Sequence, residues 1–269
     1  MYGVPICAVD VVENRRICDN VARVWRRVAL RVICAYRTVS YEASAILSRI
    51  PFRILALRYR AVYSRTKEVI IGNGFILPRT RDRIKAVECK RTVETWRGEL
   101  LTLSPSTPGY RVRAALIEVL PTWMGRTGGL TFHMTQIITG HGCFQDYLYE
   151  IRRAEFPACM HCMGAADSAR HTLETCPTWG EQRAVLTAIV GSDLSIVTIL
   201  RAALRSNMRW EGFKRFCEEI NNADQKAKAK AMLKNTVLKD KQQQMNKTPE
   251  DKSSKQDRDA EDILSIFDE

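Results

Sequence analysis

Three cysteines and one histidine stand close together at Cys159, Cys162, His171 and Cys176, in the spacing C-x2-C-x8-H-x4-C. Zinc takes four tetrahedral ligands of this kind, and a two-residue gap lets two thiolates on one tight turn reach the same ion. Four donors close the coordination sphere, which predicts one structural Zn2+ rather than a catalytic one, since catalytic zinc keeps a position open for water. The competing reading is a set of reduced core cysteines beside an unrelated histidine, because the chain has nine cysteines. Spacing and ligand type favour the metal. His161 competes as a ligand only if its neighbours give way, since Cys162 already holds the favoured position. His133, His141 and Cys143 lack paired thiols and read as helix and turn residues. Pro157 and Pro177 frame the cluster as a compact loop leading into a helix.

The chain around this cluster has 269 residues, with 42 Lys and Arg against 30 Asp and Glu, a net charge of +12. Residues 222–269 hold ten of each sign, so the whole excess belongs to residues 1–221. Hydrophobic residues make up 45%, enough for a core and against disorder throughout. The longest apolar runs, Val185 to Val190 and Ile196 to Leu200, fall far short of the roughly 20 residues that span a bilayer. No membrane span and no secretory signal are expected, and the odd, mostly scattered cysteines argue for a reducing, intracellular setting.

The elements that must position the cluster read as helices. From the N-caps Asp19 and Asn20, Val21, Val24, Trp25, Val28, Val32 and Tyr36 recur at helical spacing and predict a packed stripe. Arg23, Arg26, Arg27, Arg31 and Arg37 fall on the opposite side, either as a solvated surface or as a face for phosphates. Ser40 predicts the cap of a second helix, interrupted at Ile50-Pro51. A third carries Ile54, Leu55, Leu57, Tyr59 and Val62, and Gly72-Asn73-Gly74 marks a loop. Further helices are expected from Arg79 to Leu100, Tyr110 to Leu120, Leu130 to Thr139 with Gly140 as its left-handed cap, and Cys143 to Ile151. Three more follow the cluster: Trp179 to Val190, Ile196 to Leu204 and Trp210 to Ile220. No stretch alternates with period two. The predicted fold is mainly α: a helical domain with a small zinc knuckle and a polar tail over 222–269, disordered or helical. The tail ends in Asp262-Ile263-Leu264-Ser265-Ile266-Phe267-Asp268-Glu269, a weak acidic and hydrophobic docking signal.

Several enzyme classes are excluded by what the sequence lacks. There is no Asp-Asp pair for a polymerase, no glycine-rich phosphate loop, no Gly-x-Ser-x-Gly elbow and no His-Glu-x-x-His. Catalysis by this chain alone is not expected. A nuclease following the knuckle would need converging acids and a lysine, and Asp193, Glu211, Glu218 and Glu219 come without such a motif.

These features together resemble the C-terminal region of the polyprotein of insect non-LTR (LINE-type) retrotransposons. Arg27-Val28-Ala29-Leu30-Arg31-Val32-Ile33-Cys34-Ala35-Tyr36-Arg37-Thr38-Val39-Ser40 is similar to the segment after the reverse transcriptase thumb. Phe132-His133-Met134-Thr135-Gln136-Ile137-Ile138-Thr139-Gly140-His141-Gly142-Cys143-Phe144 is similar to the family's Phe-His and Gly-His-Gly element. Tyr147-Leu148, the Cys159/Cys162/His171/Cys176 knuckle and then Pro177, Trp179 and Arg183 follow at the family's distances. The resemblance covers about residues 1–220, and Tyr2-Gly3 looks like the end of the thumb, so endonuclease, fingers and palm are expected upstream. It implies a division into 1–40 (thumb end and basic helix), 41–153 (helical connector) and 154–221 (knuckle and following helices), with the tail at 222–269 outside it. It also implies a nuclear accessory role in target-primed reverse transcription, holding RNA or DNA while a palm elsewhere performs synthesis. Arg23, Arg26, Arg27 and Arg31 are the expected phosphate contacts, and Trp179 an expected stacking platform for a base. The alternative is a zinc-stabilised module that docks to the upstream reverse transcriptase or to a host protein.

Overall fold

A computed structural model describes residue 8 and residues 12–223, and the expectations for Tyr2-Gly3 and for the tail beyond residue 223 lie outside them. The chain divides into two units, Met1–Asn221 and Asn222–Glu269, and the first carries everything that follows. No strand occurs among the described residues; one isolated bridge pairs Ala158 with Ala166.

Helix α1 (Arg15–Val32) starts earlier than expected, because Asn14 rather than Asp19 or Asn20 caps it: its side chain accepts from the Ile17 N–H at 3.1 Å. The packed stripe is also displaced by about one residue, or about 100° of helix rotation. Val24, Val28 and Val32 are exposed, Val24 to 59%, and Tyr36 is exposed as well. Ala29, Leu30 and Ile33 are buried instead, with Trp25 stacked on Phe52 at a centroid distance of 5.0 Å. Two apolar arcs compete on this helix, and the arc carrying Ala29 wins because a small residue lets α1 lie close against α2 (Tyr41–Ser48). Arg26 follows the buried arc inward, where its guanidinium donates to the carbonyl oxygens of Val39 and Arg37.

The second helix begins as its sequence predicts, with the Ser40 hydroxyl accepting from the Ala43 N–H at 3.2 Å. Residues Ala43 to Ser48 are all buried, which makes α2 the central rod of the core. Proline at position 51 then turns the chain into a hairpin of two long helices, α3 (Phe52–Asn73) and α4 (Pro78–Thr102). Gly74, at φ +78°, caps α3 in the left-handed region.

The single helix expected over Tyr110 to Leu120 is two: α5 (Tyr110–Leu116) and α6 (Leu120–Gly125). Pro121 explains the break, since it has no N–H for the Ile117 carbonyl and its ring crowds that oxygen. On α6, Trp123 is fully buried and its indole N–H donates to the Ile46 carbonyl of α2 at 2.8 Å. Helix α7 (Phe132–Thr139) ends at Gly140, φ +77°, as predicted, and Arg111 from α5 donates to its last-turn carbonyls, Ile138 at 3.1 Å and Ile137 at 3.2 Å. The remaining elements are α8 (Gln145–Glu150), α9 (Ala169–Glu174), a 3-10 turn (Pro177–Trp179), α10 (Gly180–Val190), α11 (Ile196–Ala203) and a last helix, α12, from residue 207 to the end of the described residues. Trp210, Phe213, Phe216 and Ile220 of α12 close the same buried cluster that begins at Leu30.

Candidate metal centre

Cys159 lies on a tight turn in which the Met163 N–H donates to the Cys159 carbonyl at 2.8 Å. A return bond from the Cys159 N–H to the Ala165 carbonyl, also 2.8 Å, folds residues 159–165 back on themselves. Met163 at φ +56° takes the left-handed position this turn demands. The loop thus brings Cys162 over Cys159. His171 and Cys176 come from the other side, His171 on α9 and Cys176 just past it. Ser168 caps α9 by accepting from the His171 N–H at 3.0 Å, and the Cys176 N–H donates to the His171 carbonyl at 2.8 Å.

The four donor atoms lie within 4.8 Å of one another, and no other such group occurs among the described residues. Cys159 Sγ is 3.9 Å from Cys176 Sγ, and Cys162 Sγ is 3.3 Å from His171 Nε2. Tetrahedral zinc with Zn–S bonds of about 2.3 Å separates its sulfurs by about 3.8 Å. The sulfur pair therefore sits at a shared-metal distance and far beyond a disulfide bond. His171 is also set for metal: Thr175 Oγ1 donates to the His171 carbonyl at 3.3 Å, so at 2.9 Å it accepts from Nδ1–H and leaves the Nε2 lone pair facing the thiols. The donor set and its spacing fit Zn2+.

Two thiols of the cluster titrate in opposite directions. Burial pushes Cys159 up to about 12, with the nearby Asp167 and Cys176 adding to it. Backbone N–H groups of Gly164 and Ala165 pull Cys162 down to about 6, with help from Cys159. A dication beside them removes the cost of a buried thiolate, which is why a buried pair of cysteines suits a metal better than it suits free thiols.

Sequence reasoning missed Asp167 and Thr175. Asp167 is buried; its carboxylate accepts from the Gln145 N–H at 3.0 Å and its carbonyl from the Asp146 N–H at 3.1 Å, which fastens the knuckle to the start of α8. No spacing rule signals a contact 22 residues away. Thr175, four residues after His171, has the spacing of a helix neighbour and was legible in principle.

The other predicted residues separate into two groups. Arg23, Arg27 and Arg31 are exposed on α1, while Arg26 is half-buried and engaged with backbone carbonyls. Trp179 is 7% exposed and sets its ring edge-on to His161, with centroids 5.0 Å apart, so it packs the knuckle and presents no face to a base. His133, His141 and Cys143 join no metal cluster. His141 instead meets Thr38, so the two sequence elements at 27–40 and 132–144 touch: His141 Nδ1 is 3.1 Å from Thr38 Oγ1, and its ring stacks on Tyr147 at 4.7 Å.

No helix among the described residues is long and apolar enough to cross a membrane. No family model and no solved structure matches the chain. Over 179 residues, 63% of this chain, the sequence is 25% identical to the retrovirus-related Pol polyprotein from type-1 retrotransposable element R1 4 of Nasonia vitripennis. The chain spans 44% of the length of that relative. Along this stretch it is related in sequence to the Pol polyprotein of a retrotransposable element.

Proposed function

We propose that this chain is a zinc-ordered, nucleic-acid-binding accessory region of a non-LTR retrotransposon reverse transcriptase, acting in the nucleus in target-primed reverse transcription. The observation that carries the reading is a closed Cys3His cluster inside a basic helical domain whose sequence is similar to a retrotransposon Pol polyprotein. Zinc held by Cys159, Cys162, His171 and Cys176 supplies no chemistry of its own in such a site; it fixes the loop against α9. Arg23, Arg27 and Arg31 of α1 point to solvent and contact phosphates. Polymerase and endonuclease chemistry belong to other parts of such a polyprotein.

The second reading, a zinc-stabilised module that docks to another protein, draws on the inward turn of Arg26 and the burial of Trp179, which withdraw two of the expected nucleic-acid contacts. Binding to structured RNA and to duplex DNA over a salt series, with zinc content measured on the wild type and on Cys162→Ser, separates the two. One zinc per chain with a steep salt slope, weakened by Cys162→Ser, supports the first reading. One zinc with no binding to either nucleic acid at low salt supports the second.

A further inference from the structure

The α3–α4 hairpin is an arm with little core of its own. Between Leu57 and Val87 no residue is buried, so about three-quarters of α3, about two-fifths of α4 and the connecting turn project from the body. This arm is also where the charge sits: residues 52–102 hold twelve Lys and Arg against five Asp and Glu, seven of the chain's net twelve positive charges. Three of its five acids are occupied. Glu88, at 2% exposure, pairs with Arg65 at 2.6 Å where the arm leaves the body, Glu99 pairs with Arg53, and Asp82 lies 3.5 Å from Lys85.

Four of the other cations are ordered along one line. Arg79, Arg83, Lys90 and Arg97 fall within about 40° of one another on α4, at 100° per residue. All four are exposed, and none has an ion pair among the described residues. The stripe runs about 27 Å along the helix, at 1.5 Å per residue. At its outer end the turn presents apolar side chains to solvent: Phe75 is 63% and Ile71 73% exposed, with Leu77 beside them.

We infer that this arm binds structured RNA, with the α4 stripe following one strand of phosphates and Phe75 stacking on an unpaired base at the tip. This deepens the proposed function and rests on it. Charge complementarity selects a polyanion. A helix held flat on a lipid surface needs an apolar face to insert, and of the large apolar residues of α4 only Val87 and Leu101 are exposed, too few for that role. An exposed aromatic beside the stripe selects unpaired bases, which RNA loops and bulges offer and a continuous duplex hides.

The test uses the full zinc-loaded chain and three labelled probes: an RNA stem–loop, the same stem as a fully paired RNA duplex, and the stem–loop in DNA, each titrated over a salt series. The quadruple variant Arg79→Ala, Arg83→Ala, Lys90→Ala, Arg97→Ala is expected to lower the slope of log affinity against log salt by about 3 on both RNAs. Phe75→Ala is expected to weaken the stem–loop about tenfold, leave the duplex unchanged and leave the slope unchanged, while Phe75→Trp retains binding. Helix content and zinc stoichiometry equal to wild type show that each variant is folded. Wild-type binding that survives both variants overturns the arm alone and leaves the proposed function standing. Failure of the wild type to bind any probe at low salt overturns both. Equal losses on stem–loop and duplex with Phe75→Ala overturn the stacking role, and tighter binding to the DNA probe overturns the assignment to RNA.

Discussion

Thr38 Oγ1 lies 3.1 Å from His141 Nδ1 and also accepts the hydroxyl of Tyr147, so one threonine joins two segments more than a hundred residues apart. The segment after α1 and the turn after α7 form a single junction. Replacing this hydroxyl by a methyl, Thr38→Val, removes both hydrogen bonds at an exposed position, where water reaches the freed partners. The expected loss is about 0.5 to 1 kcal/mol in urea unfolding, with unchanged zinc content.

The same junction makes stability depend on pH. Burial lowers the pKa of His141 below its ordinary 6.5, against the upward pull of Glu150. His133 is lowered for the same reason, against Glu218. A group whose folded pKa is depressed contributes its full stability above 6.5 and loses it as pH falls from 6.5 through the folded value, because the unfolded chain takes up the proton first. The melting temperature is therefore expected to drop from pH 7.5 to pH 5.5. The drop is expected to be smaller in His141→Gln, a comparison that subtracts the proton competition at the metal ligands.

Gly142 is fixed by what surrounds it rather than by its backbone angle. A Cβ there meets Gln136 Oε1 at 2.7 Å and the Gln136 Cβ at 3.1 Å, and Gln136 is itself buried. Gly142→Ala is expected to destabilise the fold by about 1 to 3 kcal/mol, read by denaturant unfolding, whereas Gly129→Ala, with open space around it, is expected to be neutral.

Arg26 and Arg27 are neighbours with different duties. Arg26→Ala removes donors from the Val39 and Arg37 carbonyls and is expected to cost about 1 to 2 kcal/mol of stability. Arg27→Ala on the exposed face is expected to leave the melting temperature unchanged and to reduce the salt slope of RNA binding by about 1. Equal effects of both on binding, with none on stability, refute this separation.

Metal removal is expected to be a folding event. Chelation, or Cys176→Ser at a fully buried ligand, is expected to lower the melting temperature with a loss of at least about 3 kcal/mol. Restoring zinc to the chelated wild type recovers the transition, and the serine variant does not respond.

The Cys3His cluster was legible because its information is local: residue type and loop length within 18 residues determine whether four donors can meet. Helix limits set by chemistry along the chain were legible too, as at Ser40, Pro51 and Gly140. The inward face of α1 was not. Its valines make as good an apolar arc as Ala29, Leu30 and Ile33, and only the approach of α2 decides between them. The same limit hid Arg26, whose partners lie beyond the end of its own helix, and Trp179, whose burial depends on how the knuckle closes. Net charge misled in a related way. Arg26, Arg111 and Arg113 spend guanidinium donors on backbone carbonyls, so the count of basic residues overstates the cationic surface.

Helix α8 has six residues and no buried side chain, too little to persist alone. It is held at its start by Asp167 of the knuckle and through Tyr147 by Thr38 at the foot of α1. The helix is thus a strut whose order is conditional on both supports, and the knuckle and the foot of α1 open as one cooperative unit rather than two. If the cluster holds the proposed zinc, chelation is expected to raise amide exchange not only in residues 157–176 but also in 145–150 and at the end of α1, while the α2 rod stays protected.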